Sequence, residues 1–89
     1  MLGTNVWVGG HEIDVIVRRG AQLRFVEVKE KTGPRFGDPL EMVTADKQRR
    51  LRLAAEAWLA ARPELAALAP SFDVVAVRQG RVERVADAF

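Results

Sequence analysis

The sequence predicts a mixed α/β fold, a β-sheet with one main helix in the order β-β-β-α-β-β. Three observations lead there. Short stretches of alternating character, bounded by glycine-bearing turns, occupy both ends of the chain. One stretch of helical periodicity separates them, and Pro63 stops it. Residues 22–30 are apolar on both faces, the mark of a central strand covered on two sides.

Residues 5–8 are short and apolar and end at Gly9-Gly10, which predicts a brief edge strand. Residues 11–18 alternate. Glu12, Asp14 and Ile16 are expected on one side, and Ile13, Val15 and Val17 on the other. Gly20 marks a turn. From Gln22 to Glu30, Leu23 and Phe25 share a face with Glu27 and Lys29, while Val26 and Val28 fill the other. Residues 31–41 carry Gly33, Pro34, Gly37 and Pro39 and read as a loop. Thr44 is a suitable N-cap for a helix over residues 45–61. Leu51, Ala54, Ala55, Trp58 and Leu59 make its apolar stripe, and Leu53, Ala57 and Ala60 a weaker second one. Residues 63–69 suggest a short further turn of helix. Residues 72–78 are a β-branched strand, Gln79-Gly80 a turn, and residues 81–85 a closing edge strand.

The 89 residues set the expectation of one domain. No cysteine is present, which excludes a disulfide framework and a thiolate metal site and suits a reducing cytoplasm. No apolar run approaches the roughly 20 residues that span a bilayer, and no basic-then-apolar leader opens the chain. The net charge of +2 and a pI near 9.7 permit a polyanionic partner without requiring one. With one substantial helix for a two-faced sheet, one face is expected to lack cover, which predicts a homodimer.

Chemistry concentrates in Glu12-Ile13-Asp14 and Glu27-Val28-Lys29. On paired strands their carboxylates converge at one end of the sheet, where they suit a hard divalent cation. A lysine beside them can orient a water and stabilise charge on phosphate. The ordinary alternative is a charged strand end with surface ion pairs, worth about 0–1 kcal/mol each. Lys31, Arg35, Lys47, Arg49, Arg50 and Arg52 are candidates for contact with a phosphate backbone, or else a solvated face. Gln48 is a candidate to bond a phosphate or a water, or else an ordinary polar residue on the helix edge. His11 reads as structural, Trp58 as core, and Trp7 as core or interface. No phosphate-binding loop is spaced as such a loop requires.

Several segments in order resemble the YraN-like family. They are residues 10–16 (Gly-His-Glu-Ile-Asp-Val-Ile), 25–29 (Phe-Val-Glu-Val-Lys), Phe36-Gly37-Asp38-Pro39 through Val43-Thr44, Lys47-Gln48-Arg49-Arg50-Leu51, residues 72–77 and Asp87-Ala88-Phe89. That family belongs with the PD-(D/E)xK, restriction-endonuclease-like nucleases, which include Holliday-junction resolvases. The resemblance implies a restriction-endonuclease-like core. It further implies Asp14 and Glu27 as ligands of Mg2+ or Mn2+, the Val28 carbonyl as a further oxygen, Lys29 as the catalytic lysine, and Glu12 and Gln48 as accessory. DNA, branched DNA included, is the implied substrate. Family members usually begin with a helix that adds an acidic residue and covers one sheet face. This chain opens just before its first strand, and His11 stands where the family commonly has glycine. A core without that helix is therefore expected. The alternative function is an inactive, nuclease-derived module that binds nucleic acid or protein.

Overall fold

The computed structural model of the protein describes residues 1–30 and 43–89. Its elements are β1 (Gly3–Val8), β2 (His11–Arg19), β3 (Gln22–Glu30), α1 (Ala45–Ala60), a single 3-10 turn (Pro63–Leu65), β4 (Ala69–Arg78) and β5 (Arg81–Val85). The predicted order therefore holds. The five strands form one sheet in the order β1-β2-β3-β4-β5. Neighbours are antiparallel except β3 and β4, which run parallel because α1 carries the chain back across the sheet. Gly9 and Gly10 have φ of 60° and 75°, as the tight β1–β2 hairpin turn requires.

Two strands start earlier than expected. β1 starts at Gly3, and β4 starts at Ala69 because Gln22 and Leu23 of β3 pair with Ala69 and Pro70. The helix starts where Thr44 predicts: the Lys47 N–H donates to its hydroxyl at 3.1 Å. It ends at Ala60, with Ala61 as C-cap.

The helix packs on one face only. Leu51, Ala54, Ala55 and Trp58 are buried there, as the stripe predicts. They meet Ile13, Ile16, Leu23 and Phe25. Phe25 stands edge-on to Trp58, with centroids 5.8 Å apart, and stacks on Phe72 at 5.5 Å. Of the second stripe, Leu53 is exposed, while Ala57 lies close beneath Gly9.

The expected faces of β2 need correction. Ile13 and Ile16 are both fully buried against the helix, which strict alternation forbids. The reason is a break at Asn5 and Asp14. The β1–β2 ladder pairs Thr4 with Val15 and Val6 with Ile13 but skips the step between. Asn5 there adopts a φ of 50°, which asparagine tolerates better than most residues. Beyond this break the strand turns over, so Ile13 rejoins the core face.

The opposite face carries Val15, Val17, Val26, Val28, Val75 and Val77 on its three central strands. No described element packs on it, so the predicted uncovered face is present among the described residues. Trp7 is 71% exposed and is not part of the core.

Candidate nuclease-like site

The same break that reverses β2 opens the sheet. The β2–β3 ladder runs from Arg19–Gln22 to Val15–Val26 and stops. In the gap the Asp14 carboxylate accepts the Val28 N–H at 2.9 Å, which the ladder no longer uses. A carboxylate held this way is fixed at the fork of two strands, with its second oxygen outside that bond.

Glu27 follows Leu23 and Phe25 on the helix face of β3, one step beyond the aromatic core. It is 4% exposed. Helix α1 begins above it because Val43, Leu51 and Val74 form a small core, and Val74 is the register partner of Glu27. Lys47, in the first helical turn, brings Nζ to 3.4 Å from Glu27 Oε1, and Lys29 brings its own to 3.6 Å. Both are ion-pair distances longer than a good hydrogen bond. Glu27 Oε2 is buried and has no hydrogen-bond partner among the described residues.

The remaining predicted residues are dispersed. Glu12 pairs with Trp7 across β1 and β2, next to a buried Ile13, so it faces away from the helix and from Glu27. Gln48 is turned inward, its amide donating to the Val43 carbonyl at 3.1 Å. Arg49 and Arg50 both pair with Asp46, at 2.6 and 2.9 Å. Hydrogen bonding from Arg49 is the main reason that carboxyl is held below the usual range. Arg52 lies over the Phe89 ring at 5.6 Å. Lys31 and Arg35 lie outside the described residues. His11 has a buried Nε2 with no hydrogen-bond partner among the described residues. The residue sequence reasoning undervalued is Lys47, which appears there as a backbone-binding candidate and here touches Glu27. Its place one turn into the helix, above the Glu27 face, was the signal available.

Among the described residues no group of three or more His, Cys, Asp or Glu side chains is gathered for a metal. Two carboxylates and a carbonyl nonetheless suit Mg2+ or Mn2+, because Mg2+ keeps several waters and takes only one or two protein carboxylates. The unpartnered Glu27 Oε2 is the observation that fits such an ion. No helix among the described residues is long and apolar enough to cross a membrane.

Comparison with known proteins bears on the same residues. The family model described as "Uncharacterised protein family UPF0102" matches residues 1–77. The chain belongs to this YraN-like family. It is 38% identical over 93 aligned positions to a UPF0102 protein of Geobacter metallireducens, covering all of this chain and 75% of the relative. UPF0102 proteins of Yersinia pseudotuberculosis and Yersinia pestis are 42% identical over 86 positions, covering 96% of this chain and 74% of theirs. The UPF0102 family is a member of the restriction-endonuclease-like superfamily. The mixed five-stranded sheet with one main helix agrees with that core.

Proposed function

We propose that this UPF0102 chain is a metal-dependent endonuclease-like protein that hydrolyses phosphodiester bonds in DNA, branched structures included. The observation that carries this reading is Glu27. It is a buried carboxylate with one oxygen unpartnered among the described residues and two lysines on the other, and a second carboxylate, Asp14, is fixed on the N–H of the next residue, Val28. The Glu27 charge is met by the two lysines on Oε1, but a buried oxygen without a hydrogen-bond partner is costly until something answers it. A divalent cation does so.

Asp14 and Glu27 would hold Mg2+ or Mn2+, with the Val28 carbonyl as a further oxygen. When bound, such an ion would supply positive charge beside the phosphoryl oxygens and make a bound water more acidic. The remaining chemistry belongs to the chain. The Val28 N–H orients Asp14. Lys29, about a third exposed, can leave Glu27 to donate to the attacking water or to a phosphate oxygen. Lys47 and the helix N-terminus add positive potential where a phosphate would sit. Contacts of this kind follow the backbone and read little sequence. Two copies acting together would suit DNA with two strands to cut. The cytoplasm is the proposed location, since a cysteine-free chain needs no oxidising compartment.

The second reading is a nuclease-derived binding module. It is favoured by the absence of a third acid among the described residues and by the two lysines that already answer Glu27.

The test incubates the protein with labelled branched, single-stranded and duplex DNA in Mg2+, Mn2+ or EDTA, beside Lys29→Ala. Metal-dependent cleavage that the variant loses is the expected result. A folded protein that binds DNA and cuts none of the three supports the module instead.

A further inference from the structure

The open face of the sheet has an order of its own. Its centre is valine: Val15 and Val17 on β2, Val26 on β3 and Val75 on β4. Its two ends carry opposite charge. At the end shared with the Asp14 fork stand Glu12 and the exposed Glu30. At the other end stand Arg19 and Arg24; together with Arg84, which lies nearer the middle beside Val75, they line a depression of about 240 Å3 floored by valines. Asp73, in the same depression, pairs with both Arg24 and Arg84, and the cluster with Arg19 keeps a net positive charge. On edge strand β1 exposed Trp7 stands toward the acidic end, and exposed Leu2, just before the strand and bonded through its N–H to the Ile16 carbonyl, toward the basic end.

We propose that this face pairs with the same face of a second copy of the chain. The two-fold axis would run between the sheets and across the strands, near the Val15–Val26 row. Each strand then lies over its own counterpart in the opposite direction. Counting from that row, Glu12 and Glu30 fall over the partner's Arg19 end, and Trp7 falls over the partner's Leu2. Every contact occurs twice, as an isologous interface demands. A two-fold axis along the strands would instead stack acid on acid. Face-to-face sheets pack about 10 Å apart with their strands within roughly 30° of alignment. Five strands about 4.8 Å apart and some 25 Å long offer roughly 600 Å2 of flat area, near the roughly 800 Å2 per partner of a standard interface. This deepens the two-copy part of the proposed function and is independent of its chemistry. The two Asp14 forks would lie at opposite ends of the dimer.

Sedimentation equilibrium and Trp fluorescence on the intact chain test it. Trp58 is 3% exposed and constant, so a concentration-dependent blue shift reports on Trp7. A dimer is expected whose shift disappears in Trp7→Phe. Val26→Glu should yield a folded monomer. Should that variant unfold, the exposed pair decides. Glu30→Arg alone should weaken dimerisation by about tenfold or more, and adding Arg19→Glu should restore most of it. A wild-type monomer at the highest clear concentration overturns the proposal. So does a dimer that the charge exchange fails to restore. DNA cleavage, measured separately, fails or succeeds without bearing on either result.

Discussion

Glu27 and Asp73 are both buried, at 4% and 1% exposure, on adjacent strands but on opposite faces of one sheet. Asp73 is fully answered. One oxygen accepts from the Asp87 N–H at 3.1 Å, and the other from Arg84 and Arg24 at 2.9 and 3.1 Å. Burial by itself would raise this carboxyl. The Asp87 N–H, Arg84 and Arg24 outweigh it and hold the group below the usual carboxylate range. Glu27 meets two lysines at longer range on one oxygen and, among the described residues, nothing on the other. Burial is thus shared by both residues, and satisfaction separates them. Asp73 ties β3, β4, β5 and the segment after β5 together. Glu27 retains bonding capacity that no described residue meets.

Replacing each acid should magnify this contrast. Asp73→Ala strands two guanidinium groups and a backbone N–H. The expected loss is about 2–4 kcal/mol, somewhat below that of a fully buried pair because Arg84 and Arg24 are partly solvated. Glu27→Gln keeps the shape and removes a poorly compensated charge, and Lys29 and Lys47 can turn to water. Its stability should change by less than about 1 kcal/mol in either direction. Urea midpoints at unchanged slope measure both. Equal losses would mean that Glu27 is as structural as Asp73.

Acid should separate them next. The folded carboxyl of Asp73 holds its proton less tightly than the unfolded one. Its contribution is therefore complete above the unfolded value of about 3.9 and disappears as pH falls through the lower folded value. The gap between wild type and Asp73→Ala should be constant near neutrality and narrow below about pH 4. Urea midpoints across that range provide the check, and a gap that widens in acid would contradict the assignment.

Much of the Glu27 region is legible in the sequence because it depends on local alternation. Leu23, Phe25, Glu27 and Lys29 share a face by spacing alone, and Thr44 fixes where the helix begins. The Asp14 end is less legible. A break involving Asn5 reverses β2, and no residue pattern announces that Ile13 and Ile16 will share a face. The Asp73 cluster was not legible at all. It requires the parallel register that sets Asp73 against Val26, the return of β5, and the loop that brings the Asp87 N–H back. Each is a tertiary fact with no local signature. The difference has a physical origin: the Glu27 face follows from strand geometry, and the Asp73 network follows from topology.

The smallest expected effect is also the most specific to the site. Lys47 Nζ lies 3.4 Å from the Glu27 oxygen and is about a third exposed, so it competes with any cation for that carboxylate. A unit charge near 4 Å is worth about 1 kcal/mol when water screens it well. Lys47→Met should therefore tighten Mn2+ binding by roughly fivefold, measured by calorimetry on the intact chain. Lys29→Met removes a similar positive charge and should tighten binding by a similar factor while abolishing cleavage. The two variants share an effect on the ion and differ in their effect on the chemistry. If Lys47→Met weakens Mn2+ binding instead, Lys47 holds Glu27 in place rather than competing for it. The half-satisfied carboxylate would then be organised by the helix start, much as Asp73 is organised by its arginines.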